Sequence, residues 1–307
     1  MPAGAGAANP VVWSPETDFL AGTATDNTYY EVGTNPAVNT GELTNDLLKI
    51  VAPDDPEAQR QLAGQLEGQL SVSFILHNDE HHRLFAGSGA TGFGSGDVTT
   101  AEWYLSFENQ NGTVKERQIK GWAPATYTVE YNGGDPVRVT LDGPYADEEL
   151  NDTQTPTEAD TVSTTDEVPF HGISFNVDGL SVDLLQSLRL EVQNITRLIP
   201  GATRTYAGVE RGAVETTLDH TAVYHSSSPG RTELAYGSAG ATSPEDFVGG
   251  VPATLGFDGQ GGTVATYDLA GATPESVEWS DLVNPDESIT QPVTYQVNTF
   301  EWSDPTV

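Results

Sequence analysis

The chain has 307 residues, with 45 Asp and Glu against 12 Lys and Arg, a formal net charge of −33, no Cys and one Met. The absence of Cys excludes a disulfide framework, a thiolate nucleophile, an iron–sulfur cluster and a zinc site with Cys ligands. The shortage of basic residues excludes a protein that binds the phosphate backbone of nucleic acids. The length favours about two domains.

The first half of the chain contains mostly predicted strands. Residues 55–57 are Asp-Pro-Glu, the residue types that begin a helix, and this helix is predicted to run to about residue 66. Residues 70–76 begin with the alternation of a strand, and residues 81–86 predict one or two helical turns. Further strands are predicted at 103–107, 113–119, 126–131 and 137–141, with hairpin turns at the Asn-Gly pair 111–112 and at 132–134.

A segment rich in acidic residues and Thr separates the two halves. Residues 147–167 contain eight acidic residues, no basic residue and no aromatic residue, so 147–168 is predicted to be an exposed linker or loop. Beyond it, 188–192 and 293–300 predict strands, and Ser-Pro-Glu at 243–245 predicts the start of a second helix. The predicted domains are therefore 1–146 and 169–307.

The two halves repeat one another. Residues 107–114 (Phe-Glu-Asn-Gln-Asn-Gly-Thr-Val) return as residues 257–264 (Phe-Asp-Gly-Gln-Gly-Gly-Thr-Val), and the residue numbers differ by 150. The same difference relates Gly121 to Gly271, and Leu84 to Leu234. A chance match in a Gly-rich sequence is the alternative. We interpret the repeat as a duplicated β-domain.

The acidic charge is spread over the chain and is not held in a tail. Few Lys residues together with many Asp, Glu and Thr resemble the proteins of halophilic archaea that accumulate salt, or of their viruses. In molar salt the screening length falls to roughly 3 Å and the self-repulsion fades. An ordinary acidic secreted protein is the alternative, but residues 1–6 lack the basic and apolar regions of a signal peptide. No long apolar run predicts a membrane span.

One glycine-rich stretch matches a cofactor motif by its letters alone. Residues 87–92, Gly-Ser-Gly-Ala-Thr-Gly, fit the dinucleotide-binding fingerprint, which works only where a strand ends and a helix begins. Phe93 and further Gly residues follow, which do not begin a long helix. A flexible loop is the favoured interpretation, and no cofactor is predicted.

His77, His81 and His82 are the weak candidates for a metal site. They lie beside Asp79 and Glu80, and His77 and His81 would share a face of a helix. The Glu is not placed as in the His-Glu-x-x-His motif, so solvated polar residues at the end of a strand are favoured and no metal is predicted.

No catalytic residue is predicted. The chain has neither a nucleophile elbow nor a P-loop. Paired carboxylates would suit a glycosidase, but 45 acidic residues place such pairs everywhere. The chain is therefore predicted not to be an enzyme.

The stretches that resemble a known family lie in both halves. Residues 187–194 (Ser-Leu-Arg-Leu-Glu-Val-Gln-Asn) precede a loop at 201–207 and a strand-like stretch at 211–218. In the first half, Glu-Gly-Gln-Leu-Ser-Val-Ser at 67–73 precedes the turn at 81–86 and the hairpin at 111–112. These stretches resemble the major tail tube proteins of long-tailed, siphovirus-like viruses, in the version that infects halophilic archaea.

The resemblance implies a mainly β fold with two tandem tail-tube-like β-sandwich or split-barrel domains, each with a short flanking helix. It implies rings that stack into a tube through which viral DNA passes without being bound. Two domains per chain imply a trimeric ring with pseudo-sixfold symmetry, and an unduplicated chain implies a hexamer. It also implies a place in the virion tail after assembly in the host cytoplasm. The implied partners are the tail terminator, tape measure and distal tail proteins, with no membrane and no cofactor.

The predicted ring contacts lie in the glycine-rich loop at 86–96, which is expected to fold only against a neighbouring ring. The candidates are Gly87, Gly89, Gly92, Phe93 and Gly94. Other classes of protein stay open at this point. They are a cell-surface or S-layer-like β module of halophilic archaea, another tail or capsid accessory protein, and an enzyme on a β scaffold.

Overall fold

The computed structural model describes residues 4–5, 11–23, 28–51, 58–86, 90–94, 98–109, 112–155, 167–224, 230–280 and 288–303. These residues form a mainly β fold, as the sequence predicted. The strands of the first half are β1 (Gly4–Ala5), β2 (Val11–Pro15), β3 (Tyr30–Glu31), β4 (Thr34–Val51), β5 (Ala58–Ile75), β6 (Ala101–Asn109), β7 (Val114–Trp122), β8 (Thr126–Asn132), β9 (Arg138–Tyr145) and β10 (Asp147–Asn151).

The second half continues in the same way, with short helices in both halves. Its strands are β11 (Ile173–Val177), β12 (Leu180–Ser181), β13 (Leu185–Gln193), β14 (Thr196–Ile199), β15 (Gly208–Arg211), β16 (Glu215–Val223), β17 (Val251–Gly259), β18 (Gly262–Val277), β19 (Thr290–Val297) and β20 (Thr299–Trp302). The helices are a 3-10 turn at Glu80–His82 that runs into α1 (Arg83–Ala86), and α2 (Arg231–Tyr236).

One layer of strands runs through both halves. Its order is β4-β5-β9-β8-β13-β16-β19, followed by residues 273–277 of β18, and every neighbouring pair is antiparallel. We call these strands the long layer. Gly271, with a φ of 68°, separates residues 273–277 from the first part of β18, which pairs with β17 and β20. The φ is one that Gly adopts without steric cost, so the strand changes direction there.

Two outer sheets cover the long layer. The first has the order β10-β7-β6-β2-β3, with β1 beside β6, and the second has the order β12-β11-β17-β18, with β20 beside β18. Trp122 of β7 donates a hydrogen bond from Nε1 to the carbonyl of Leu70 in β5, at 3.3 Å. The ring of Phe175 in β11 lies 5.0 Å from that of His220 in β16. Each half is thus a β-sandwich, and one apolar core runs through both.

Alternating residue types explain why these segments form strands with two different faces. In β9, β13, β16 and β19, buried residues alternate with partly or fully exposed ones. The predicted strand 188–192 lies within β13, where Leu188, Leu190 and Val192 are buried. This alternation is typical of an antiparallel sheet that packs on a core with one face only.

The predicted helix at 55–66 is wrong. Residues 52–57 lie outside the described residues, and Ala58–Ile75 is the strand β5, which pairs with β4 along its length. The Asp-Pro-Glu start signal is local, whereas cross-strand pairing over a long hairpin stabilises the extended form. We call the outer part of this hairpin, residues 43–51 and 58–66, the arm.

The second predicted helix is also wrong. Residues 243–248 are not helical, and the amide of Glu245 donates to the carbonyl of Tyr236 at 2.7 Å, which returns this loop to the end of α2. The helix of the second half lies earlier, at α2, between Gly230 and Gly237. The helical turns predicted at 81–86 are confirmed by the 3-10 turn and α1.

The predicted linker begins with a strand. Residues 147–151 form β10, which pairs with β7, and residues 156–166 lie outside the described residues. Nζ of Lys120 lies 2.6 Å from a carboxylate oxygen of Glu149, and Nε of Arg117 lies 2.6 Å from one of Glu148. Basic residues of β7 therefore neutralise acidic residues that lie diagonally across the strand pair, which favours an edge strand over an exposed linker.

Candidate functional site

A cluster of histidine and tyrosine side chains joins the two halves. The hydroxyls of Tyr127 in β8 and Tyr267 in β18 lie 2.5 Å apart. Nε2 of His81 lies 3.1 Å from the Tyr127 hydroxyl, and Nε2 of His82 lies 3.0 Å from the Tyr267 hydroxyl. All four side chains are buried. The prediction that His77, His81 and His82 are solvated is wrong, because all three are buried, and the 3-10 turn holds His81 and His82 against the two tyrosines.

Burial decides the protonation of this cluster. It lowers the pKa of His81 to about 3, with a smaller effect of the neighbouring His77, and lowers the pKa of His82 well below its ordinary value. Burial also raises the pKa of the Tyr127 hydroxyl. The imidazoles and phenols are therefore neutral near pH 7 and hold the halves together by hydrogen bonds. Within the described ranges, no three His, Asp or Glu side chains are grouped to hold a metal ion.

The predicted ring-contact loop lies on the second half of the same chain. Gly87 and Gly89 fall outside the described residues, whereas Gly92, Phe93 and Gly94 are described. The carbonyl of Thr91 accepts a hydrogen bond from the amide of Trp302 in β20 at 2.9 Å, and the ring of Phe93 lies 5.0 Å from that of Trp302. The stretch 90–94 is not helical, so it does not build the phosphate site of a dinucleotide fold.

The outer face of the long layer is polar and mainly acidic. Its acidic side chains include Glu130, Asp142, Glu191, Asp219 and Glu275, and its basic ones include Arg138 and Arg189. Arg189 bridges Glu130 and Glu191 at 2.8 and 3.0 Å. Gln69 donates to Asp142 at 2.8 Å. The excess of carboxylates gives this face a negative potential.

The long layer has an open edge at each end. In the described part of the chain, no strand pairs with the outer edge of β4, and none pairs with residues 273–277 of β18 on the side away from β19. The arm that extends β4 and β5 exposes Leu43, Leu47, Leu48 and Leu62. Open strand edges and exposed leucines are sites at which another chain is expected to bind.

The sequence did not single out Tyr127, Tyr267 or Trp302. Tyr127 lay in a predicted strand, but its partner Tyr267 is 140 residues away. Trp302 lies just beyond a predicted strand. No local pattern links these positions, so the contact between the halves could be found only from the fold.

These surfaces define a mainly β structural protein, with open edges on one large sheet and an acidic face between them. A family model described as phage tail tube protein matches residues 6–299. The chain belongs to this family, and is therefore a structural component of the virion tail that assembles into a tube with other tail components. A search of curated proteins found no match. Neither helix in the described ranges has the length and apolar character needed to cross a membrane.

Proposed function

We propose that the chain carries two tail-tube domains in tandem and that three copies form a ring with pseudo-sixfold symmetry. Such rings would stack into the tail tube of a long-tailed virus of a halophilic archaeon. We further propose that viral DNA passes through the tube, that assembly takes place in the host cytoplasm, and that the tail terminator, tape measure and distal tail proteins bind the tube.

Matching pairings in the outer sheets support the duplication. In the first half β7 pairs with β10, and Lys120 lies opposite Asp147. In the second half β18 pairs with β20, and Ala270 lies opposite Thr299. Lys120 and Ala270 differ in number by 150, as in the sequence repeat. Each is followed by a Gly with a positive φ, of 63° and 68°. The outer β-hairpins, the short helices and the edge strands thus recur in the same order.

The pairing between the halves is the observation that carries the ring. β8 of the first half pairs with β13 of the second, and Tyr127 lies opposite Val192. The counterpart of Tyr127, 150 residues on, is Val277 at the end of β18. The counterpart of Val192 is Leu43 in β4. Both counterparts lie on open edges, so β18 of one copy can pair with β4 of the next as the two halves pair with each other.

The match between β4 and β13 follows from residues that lie opposite one another across the long layer. The equivalent series are Tyr145, Gly68 and Leu43 in the first half, and Val297, Thr216 and Val192 in the second. Three copies joined in this way contribute six domains and leave no open edge in the long layer. Closure would remove the aggregation risk of both edges.

The charge of the long layer supports the role of a conduit. With its apolar face covered by the outer sheets, its acidic face would line the channel. Carboxylates repel the phosphates of DNA, so the cargo would slide without being trapped. Leu47, Leu48 and Leu62, the exposed leucines of the arm beyond Leu43, are the proposed contacts between stacked rings. The stretch 90–94 is proposed to act within a ring, since it lies where one half meets the next.

A cysteine cross-link tests this arrangement. The chain has no Cys, so Leu43→Cys with Val277→Cys places thiols only at the two open edges. With a short thiol cross-linker in molar KCl, we expect covalent products that end at three chains. Each single variant is the control and should give no product beyond a dimer. A series that continues to six chains would contradict the duplication, and no product above the controls would contradict the pairing of the edges.

A further inference from the structure

Two apolar side chains are more exposed than any others of their size in the described residues. Phe247, between α2 and β17, is 87% exposed, and Leu150 in β10 is 75% exposed. They lie in different halves. Burying either one would be favourable, so a partner is expected for both.

One contact within the chain shows how an aromatic side chain from a loop can pack on an edge strand. Between α1 and β6, residues 90–94 lie against the second half, where the ring of Phe93 packs on Phe300 and Trp302 of β20 at 5.9 and 5.0 Å. The guanidinium of Arg211 lies 5.3 Å from the Phe93 ring centre. The groove beside Phe93 has a volume of about 500 Å³, and its walls include Val214, Phe300 and residues 91–94.

The first half has the corresponding groove, and the described residues that line it include no aromatic side chain. Leu150 lies opposite Arg117 and Trp302 lies opposite Tyr267, so the two edge positions match with the 150-residue repeat. The groove, of about 330 Å³, is lined by Leu43, Leu66, Asp147, Glu148, Leu150, Arg204 and Thr205. Arg204 lies beside this groove as Arg211 lies beside the other. It donates hydrogen bonds to Asn45 at 2.5 Å and to the carbonyl of Gly64 at 3.3 Å.

The loop that would fill this groove belongs to the second half. Residues 237–250 lie between α2 and β17, and have the same length as residues 87–100 between α1 and β6. We propose that this loop packs on the groove of the next copy of the chain in the ring, with Phe247 covering Leu150 beside Arg204. The proposal rests on the ring proposed above. It assigns a contact between copies that does not involve the pairing of strands.

The loss of this contact is measured by the protein concentration at which half of the chains are assembled. Phe247→Ser should weaken each contact about tenfold. A three-chain ring has three such contacts, so its formation constant should fall about a thousandfold. The ratio of assembled to free chains depends on the square of the free concentration, so the midpoint should rise about thirtyfold. Leu150→Ser should give a similar shift, and the double variant should add little to either one. Phe170→Ser, which removes the same side chain from another exposed site, is the matched control and should leave the midpoint unchanged.

Mass photometry and sedimentation in molar KCl give the midpoints, and denaturant unfolding of the unassembled chain shows that the variants fold. If wild-type rings form and Phe247→Ser leaves the midpoint unchanged, the loop contact is overturned while the ring stands. Shifts that simply add in the double variant also overturn the contact. If the wild type forms no assembly and the cross-link between residues 43 and 277 fails, both proposals fall.

Discussion

His220 provides a measurable link between burial and stability. Its ring is 3% exposed, stacks on Tyr295 at 5.7 Å with an interplanar angle of 11°, and meets Phe175 edge-on. Burial lowers the pKa of His220 to about 3, and the positive charge of Arg231 adds to the effect. Neither ring nitrogen has a hydrogen-bond partner among the described residues. His220→Phe therefore keeps the ring and removes the titration.

The direction of the pH effect on stability follows from the protonation of His220 in the unfolded and folded chain. Below about pH 6.5 the unfolded chain protonates this histidine and the folded chain does not. The stability that the neutral form provides is present above that pH and is lost as the pH falls towards 3. Each pH unit costs about 1.4 kcal/mol, so about 2 kcal/mol is lost by about pH 5. The Phe variant escapes this loss, and should be more stable than the wild type at that pH by about 2 kcal/mol beyond any difference at pH 8.

Denaturant unfolding in molar KCl, followed by tryptophan fluorescence at about pH 8 and about pH 5, measures the difference. Because both proteins carry the same carboxylates, the titration of these groups largely cancels between them. His171→Gln, at an exposed histidine, is the control and should shift neither value. An equal difference between wild type and His220→Phe at both pH values would refute the reasoning.

Other variants and conditions test further parts of the fold. Tyr267→Phe removes the hydroxyl that meets Tyr127 and His82, and should lower the free energy of unfolding by about 1–3 kcal/mol; an unchanged denaturation midpoint would contradict this. Gly121→Ala combines a positive φ with a Cβ placed 2.9 Å from another side chain, whereas Gly134→Ala has a positive φ in open space. A left-handed Ala alone costs about 1–2 kcal/mol of stability, and Gly121→Ala should cost more than that. Equal losses of stability for the two variants in thermal unfolding would contradict this. Transfer from molar to dilute salt should dissociate assemblies or unfold the chain, because screening of the charge of −33 is lost; unchanged sedimentation and circular dichroism would contradict this.

The sequence predicted strands where one face of a sheet packs on the core. Leu188, Leu190 and Val192 alternate with polar residues, and this local pattern reports directly on burial in β13. The arm was missed for the opposite reason. Its leucines are exposed, and its extended form depends on pairing between β4 and β5, so the helix-start signal near residue 56 was misleading.

The contacts between the halves could not be predicted from local sequence patterns. His82 meets Tyr267 across 185 residues of sequence, so nothing near residue 82 indicates that its side chain is buried. The acidic segment after residue 147 looked like a linker because composition does not show that Arg117 and Lys120 lie opposite it in β7. The repeat at 150 residues was the long-range signal in the sequence, and its two copies fall on the hairpins β6–β7 and β17–β18.

The symmetry of the assembled particle tests the central claim most directly. In end-on electron micrographs of the protein assembled in molar KCl, the account predicts rings of six similar lobes. With the mass of each ring measured on the same sample, it predicts three chains per ring. Six chains in a six-lobed ring would contradict the duplication, and particles without a central channel would contradict the tube itself.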